Sequence, residues 1–245
     1  MSEARPKLYL LDVEGTVAPL TLTSEVLFPY ARARFAQFLE RNRAEESVRA
    51  DLVLLAEENR AETGEGAPHL PLLSEAAEVA TPRFRLHAMV YLMWLMDRDR
   101  KSTALKSLQG KIWKAGFESG ELKGALFDDV PNALRRWSAG ARVAIYSSGS
   151  VEAQKLFFRY STGGDLTPLI AAYFDTRTGA KMEPASYTAI ASVMNVAPDE
   201  LLFFSDSVRE LDAAREAGCR TRLVVREGNA PVEDGHGHAM ITSLD

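Results

Sequence analysis

A chain of 245 residues that is 46% hydrophobic and 26% charged can bury a sizeable core under a normally solvated surface, as one large domain or two smaller ones. Its 29 Lys and Arg against 34 Asp and Glu give a formal net charge of −5 with no basic stripe, which argues against nucleic acid as a partner. The single cysteine, Cys219, excludes an intrachain disulfide and fits a reducing compartment. Residues 1–6 are polar, without an apolar secretory segment, and no apolar run approaches the ~18 residues of a membrane span, so the expected location is the cytoplasm.

The first element in chain order is the apolar run Lys7–Leu11 (KLYLL), which stops abruptly at Asp12-Val-Glu-Gly-Thr: a buried strand followed by a turn. Ser24-Glu25 can open a helix, with Leu27, Tyr30, Ala31, Arg34, Phe35 and Phe38 at i, i+3, i+4 spacing. A second helix fits Glu45–Arg60, with Val48, Leu52 and Leu55 on one face. Residues 63–74 (TGEGAPHLPLLS) are a Gly- and Pro-rich loop. Helical periodicity returns over Arg83–Met96 and Ser102–Phe117, where a methionine stripe suits core packing.

From residue 125 the pattern changes. Helices are expected at Val130–Ser138, Ser150–Tyr160, Pro184–Met194 and Arg209–Ala217. Strands are expected at Arg142–Tyr146 (RVAIY), Ile170–Phe174, Leu201–Phe204 (LLFF) and Thr221–Val225 (TRLVV). Strands alternating with helices imply a parallel sheet. His236 and His238 fall in a Gly-rich acidic stretch, Glu233–His238, expected to be a solvated tail, and Cys219 is expected to be a small buried residue. The expected fold is α/β: a doubly wound parallel sheet core from residues 1–19 and 125–245, with an all-helical domain, 20–124, inserted after the first strand. Open α/β sheets build their sites at the carboxyl ends of the strands. The insertion leaves from that edge and is expected to act as a cap.

Four polar motifs fall where such a site would form. The first strand ends in Asp12-x-Glu14-x-Thr16, the RVAIY strand in Ser147-Ser148-Gly149-Ser150, and the LLFF strand in Ser205-Asp206 with Glu210 four residues on. Lys181 lies in the loop after Phe174. This inventory suits phosphoryl transfer. Asp12 and Asp206 can offer carboxylates to Mg²⁺, which usually takes one or two of them with water and phosphate oxygens. A carboxylate can also attack phosphorus and form an aspartyl-phosphate. Lys181, the Ser147 hydroxyl and the amides of the Ser148-Gly149 turn can neutralise and orient the transferred group. Taken singly, each motif is more often a turn, a helix cap or a surface lysine; their order and placement carry the reading.

In that order the motifs resemble the haloacid dehalogenase (HAD-like) superfamily of aspartate-nucleophile phosphatases. LLDVEGTVAPL, LFPYAR, DRKSTALKSLQGKIWKAGF, IYSSGSVEAQKLFF, YFDTRTGAKMEPASY and VVREGNA are more narrowly similar to the enolase-phosphatases of methionine salvage, from about Lys7 to Ser243. The Asp-x-Glu form of the first motif and YSSGSVEAQK are the most specific parts, since most of the superfamily has Asp two residues after the nucleophile. Val17-Ala18, where that family often has a Thr-rich run, and Phe204-Ser205, where Leu-Thr is common, depart from the pattern; residues 60–80 match weakly.

The resemblance implies a two-stage reaction. The substrate, 2,3-diketo-5-methylthiopentyl 1-phosphate, is enolised and then dephosphorylated to the acireductone 1,2-dihydroxy-3-keto-5-methylthiopentene. It implies one Mg²⁺ per subunit held by Asp12, Glu14 and Asp206, with Asp12 also the nucleophile. Ser147, Ser148 and Lys181 would contact the substrate. Glu14 is placed to act as general acid and base, Glu14 and Lys181 are both candidates for the enolisation base, and Glu210 is a candidate outer partner of the cation. The aromatics Phe28, Trp94 and Trp113 are read first as helical core and second as a wall for the methylthio group. The expected partner is a small phosphorylated molecule, with no nucleic acid or membrane, and the expected state is a monomer. The competing readings are a phosphatase of this superfamily acting on another small ester, and a non-catalytic phospho-acceptor domain, which would lack the long helical insertion.

Overall fold

The computed structural model describes residues 5–233 and 235–245. Four residues of the polar N-terminal lead and Asp234 of the Glu233–His238 stretch therefore lie outside the described residues. The chain divides into two compact units, one of Ser24–Gly116, the other of Met1–Thr23 with Phe117–Asp245.

The larger unit holds a six-stranded parallel sheet. Its strands are β1 (Leu8–Leu11), β2 (Arg142–Tyr146), β3 (Ala172–Phe174), β4 (Leu201–Ser205), β5 (Arg220–Val224) and β6 (Ala239–Ile241), in the order β3-β2-β1-β4-β5-β6. Leu8 pairs with both Arg142 and Leu201, and Leu11 with both Ile145 and Phe204, so β1 is hydrogen-bonded along both edges. All four of its residues are buried, which is why it reads as an unbroken apolar run rather than an alternating one. Leu8 and Leu10 join Tyr146, Tyr187, Phe203 and Leu211 on one face. On the other, Tyr9 stacks on Trp137 at 4.4 Å and Trp137 on Phe204 at 5.2 Å; such aromatic pairs add roughly 0.5–1.5 kcal/mol each beyond their burial.

The helices of this unit are α5 (Val130–Ser138), α6 (Val151–Arg159), α7 (Pro184–Val193) and α8 (Val208–Glu216). The chain winds outward from β1 to β3 on one side, then returns and winds from β4 to β6 on the other. The direction therefore reverses between β1 and β4, and a crevice opens there at the carboxyl ends of the strands.

The other unit is helical: α1 (Phe28–Arg41), α2 (Glu46–Arg60), α3 (Pro82–Asp97) and most of α4 (Thr103–Glu118). Phe35, Leu52, Phe84, Tyr91, Leu92 and Leu108 lie at its centre, and Met89, Met93 and Met96 pack partly buried against them. Trp94 stacks on Tyr91 at 5.9 Å, and Trp113 donates Nε1–H to the Leu27 carbonyl at 2.8 Å while stacking on Phe28. Trp94 is buried in this core and Trp113 packs partly buried against it, whereas Phe28 is exposed. Among the described residues no helix is long and apolar enough to cross a membrane.

Three local features differ from expectation. The segment from Leu22 to Leu27 forms a single wide π turn, and α1 starts only at Phe28, with Pro29 in its first turn where the missing N–H costs nothing. The strand expected over Ile170–Phe174 is shortened by the 3₁₀ turn Thr167–Leu169, which contains Pro168. The third is a correction: the Glu233–His238 stretch is not a solvated tail at His238. The unforeseen strand β6 pairs with β5 and buries His238, whose Nδ1 lies 2.8 Å from Thr221 Oγ1 and whose Nε2 lies 3.1 Å from Asp212 Oδ1. Burial holds this imidazole below the usual histidine pKa although Asp212 acts the other way.

Candidate active site

Asp12 follows directly on β1, with its backbone N–H bonded to the Phe204 carbonyl of β4 at 3.0 Å and its side chain buried. The turn after it is closed on itself: the N–H groups of Val17 and Ala18 both reach the Val13 carbonyl at 2.9 Å, and Gly15 N–H reaches Ala18. Gly15 has φ of 71°, a left-handed conformation that glycine adopts freely. A Cβ added there would run into the carboxylate of Asp206, which follows β4 across the crevice. The glycine thus lets the Asp12 turn and Asp206 approach to contact.

Lys181 is the positive centre. Its ammonium lies 2.6 Å from Asp12 Oδ1 and 2.6 Å from Glu210 Oε2, and its side chain is only 8% exposed. Glu210, in the first turn of α8, also accepts the Ser205 hydroxyl at 2.9 Å. Burial works against the Lys181 charge, but Asp12 and Glu210 outweigh it and hold its pKa above the ordinary lysine value. Asp206 is pushed the other way, to about 6, by burial first and then by the charges of Asp12 and Glu210. Burial and Asp12 likewise raise Glu210.

The backbone carrying Lys181 is pinned by three hydroxyls. Tyr146 donates to Gly179 O at 2.9 Å, Ser186 to Ala180 O at 2.7 Å and Tyr187 to Lys181 O at 2.6 Å. On the other side of β1, Ser147 follows β2 and accepts the Gly149 N–H on its Oγ at 3.3 Å. Gln154 of α6 braces that loop from beneath, donating to Gly149 O at 2.7 Å and Phe174 O at 2.9 Å. Ser150 caps α6 by accepting from Ala153 N–H, so the helix opens at the serine loop.

The structure therefore brings Asp12, Lys181 and Glu210 into direct contact, with Asp206 against the Asp12 turn. Ser147 and the exposed Ser148 sit on the adjoining strand end. Glu14 lies in the same turn as Asp12, but its Oε1 accepts the Thr23 N–H at 2.9 Å. Among the described residues no group of three or more His, Cys, Asp or Glu side chains is gathered to hold a metal ion. Magnesium does not require one, since it usually takes one or two carboxylates and completes its shell with water and phosphate oxygens. Asp12 and Asp206 fit that demand. Asp12, Asp206 and Glu210 are three acids against one lysine, and the raised Asp206 is the group a divalent cation would relieve.

Two residues of this region carried no role in the sequence reading. Arg226 and Asn229 belong to the VVREGNA segment just after β5, and both reach the Asp12 turn: Arg226 Nε donates to Thr16 O at 3.1 Å and Asn229 Nδ2 to Gly15 O at 2.9 Å. The signal for them was a polar segment following an apolar strand at the active edge of the sheet, the same rule that located Asp12 and Asp206.

Comparison with known proteins shows what the chain as a whole is similar to. Residues 6–218 match the model of a hydrolase family described as haloacid dehalogenase-like hydrolase. The chain is 53% identical over 228 residues to Enolase-phosphatase E1 of Synechococcus elongatus, covering 92% of this chain and 91% of that protein. It is 42% identical over 240 residues to Enolase-phosphatase E1 of Leptospira borgpetersenii, covering 98% and 97%. Among solved structures, the UTR4 protein of Saccharomyces cerevisiae is similar with a TM-score of 0.78 and 33% identity, over 98% of each chain.

Proposed function

This chain belongs to the haloacid dehalogenase-like hydrolase family and carries the enolase-phosphatase activity of its relatives, and from that premise we propose how its residues divide the work. The reaction converts 2,3-diketo-5-methylthiopentyl 1-phosphate to the acireductone 1,2-dihydroxy-3-keto-5-methylthiopentene and phosphate, in methionine salvage.

In the first stage a proton leaves the carbon beside the diketone. Lys181 is an unsuitable base, because Asp12 and Glu210 keep it as an ammonium without a free lone pair. Its role is to steady the developing oxyanion and the phosphate charge. Glu14 then takes the carbon-bound proton. In the second stage an oxygen of Asp12 attacks phosphorus, the bond from phosphorus to the C1 oxygen breaks, and Glu14 returns a proton to that oxygen. Water next attacks the aspartyl-phosphate, giving its proton to Glu14, and free Asp12 is restored with release of phosphate; Glu14 hands that proton to solvent, which has supplied the one that turns the C2 enolate into the enol, so the cycle closes with Glu14 ionised again. Ser147, Ser148 and the N-terminus of α6 bind the phosphoryl oxygens.

Asp12 and Asp206 would hold the magnesium ion, one per subunit, with Glu14 contributing from the Asp12 turn. When bound it supplies Lewis-acid polarisation of substrate oxygens and charge neutralisation. The protein is expected to act as a cytoplasmic monomer.

The observation that carries the assignment is the 2.6 Å contact of Lys181 with Asp12 at the point where the sheet reverses direction. The test is an NMR or absorbance time course with the diketone phosphate, run on the native enzyme and on Asp12→Asn. The native enzyme should show an enol before phosphate appears, and the variant should release no phosphate while remaining folded. Substantial phosphate release by Asp12→Asn would remove Asp12 as nucleophile; rapid hydrolysis of simple esters with none of the diketone would reject the substrate.

A further inference from the structure

Three consecutive carbonyls of the Asp12 turn are taken by donors from outside it, two by the segment after β5 and one by Phe127. Gly15 O accepts from Asn229 Nδ2 at 2.9 Å, Thr16 O from Arg226 Nε at 3.1 Å, and Val17 O from the Phe127 N–H at 3.1 Å. Asn229 also donates to Val224 O at 3.3 Å, which ties the turn to the end of β5.

Arg226 is itself fully directed. Its Nη2 meets Asp129 Oδ2 at 2.9 Å, its Nη1 donates to Thr242 O at 3.0 Å, and its guanidinium lies 4.5 Å from the centre of the Phe127 ring. The side chain is 6% exposed and its acidic partner 11%. A planar fork satisfied at three points cannot swing, and only arginine can supply three such arms in fixed directions. Among the described residues neither Arg226 nor Asn229 forms a hydrogen bond or ion pair with the side chain of Asp12, Lys181 or Asp206. Their grip is on the backbone that carries Asp12.

We infer that Arg226 and Asn229 are positioning residues, a clamp that fixes the Asp12 turn against Asp206 and so sets the geometry in which the nucleophile and the cation site are used. The inference rests on the reading of Asp12 as nucleophile. The required precision is visible at Gly15, where an added Cβ would run into the Asp206 carboxylate. A turn released by even ~1 Å would carry Asp12 out of line, a displacement that can cost about 10²-fold in rate. Partners of this indirect kind typically contribute roughly 10- to 100-fold in metal affinity or activity.

The experiment compares Asn229→Ala, Arg226→Lys and Ser243→Ala with the native enzyme. Ser243 donates to Asp129 at 3.2 Å but does not touch the turn, so its variant controls for loosening of the surrounding network. Steady-state kinetics with the diketone phosphate should show Asn229→Ala losing about 10- to 100-fold in kcat with KM within about threefold, while Ser243→Ala stays within about twofold. Calorimetric titration with Mg²⁺ alone should show affinity weakened about tenfold in Asn229→Ala and unchanged in Ser243→Ala. Arg226→Lys keeps the charge opposite Asp129 and so protects folding, yet should lose kcat in the same manner.

Native kcat and Mg²⁺ affinity in folded Asn229→Ala and Arg226→Lys would overturn the clamp, as would equal losses in Ser243→Ala. Failure of the native enzyme on the diketone phosphate would instead strike the functional reading, and the Mg²⁺ titrations would still judge the clamp.

Discussion

The hydroxyl of Tyr187 donates to the backbone carbonyl of Lys181 at 2.6 Å, from a ring that is wholly buried. Lys181 is thus held at both ends, by Tyr187 at its backbone and by Asp12 and Glu210 at its ammonium tip.

Tyr187→Phe keeps the ring and removes the bond. The Lys181 carbonyl is then buried without that donor, which should cost about 1–3 kcal/mol of stability in urea unfolding. Turnover should fall about three- to tenfold, as the lysine backbone loosens, in steady-state assays. A native kcat with native stability would mean that Ser186 and Tyr146 suffice to hold the loop.

Gly15→Ala meets two obstacles. The left-handed backbone costs a side-chain-bearing residue about 1–2 kcal/mol, and the new methyl must displace the Asp206 carboxylate. Activity should fall at least about 10²-fold, with weakened Mg²⁺ binding seen by calorimetry. An active Gly15→Ala with tight Mg²⁺ binding would show that Asp206 does not need its present position.

Glu14→Gln preserves shape and removes proton transfer. Turnover should drop by about 10²- to 10⁴-fold, the range for lost acid–base help. Because Glu14 Oε1 accepts the Thr23 N–H, and a glutamine carbonyl can do the same, the fold should be unchanged by circular dichroism. A near-normal rate would take Glu14 out of both stages.

The Asp129–Arg226 pair should make stability depend on acid. Burial acts to raise the Asp129 pKa, but Arg226 and the Leu244 N–H outweigh it and hold it below the ordinary carboxylate value. A group depressed in the folded state contributes stability that is complete above its unfolded pKa, near 4, and is lost as pH falls through the lower folded value. Urea unfolding of Asp129→Asn should therefore show a flatter decline below about pH 4 than the native protein, with lower stability at neutral pH. Parallel acid limbs in the two proteins would show that the pair does not titrate with folding.

Much of the sheet was legible because β1, β2 and β4 are buried on both faces and so appear as unbroken apolar runs ending in polar motifs. Asp12, Asp206 and the serine loop each stand directly after one of these strands, where their order and placement together, rather than any one motif, point to a site. Lys181 was harder: nothing local distinguishes a buried lysine from a surface one, and its meaning comes from Asp12 and Glu210, brought to it by the fold. β6 was missed because three residues after a Gly-rich stretch form a strand only when β5 is there to pair with. Arg226 and Asn229 act on backbone carbonyls, and no residue pattern advertises which carbonyl needs a donor.

The double pairing of β1 has a consequence for how the molecule is made. The strand bearing Asp12 is synthesised early, yet its two neighbours emerge only after the whole helical insertion and, for β4, most of the remaining chain. Until then an apolar ribbon stands with both hydrogen-bonding edges open, an invitation to join the wrong sheet. The helical segment, whose contacts are more local, has the means to fold first and hold the nascent chain compact while the reactive strand waits for its partners.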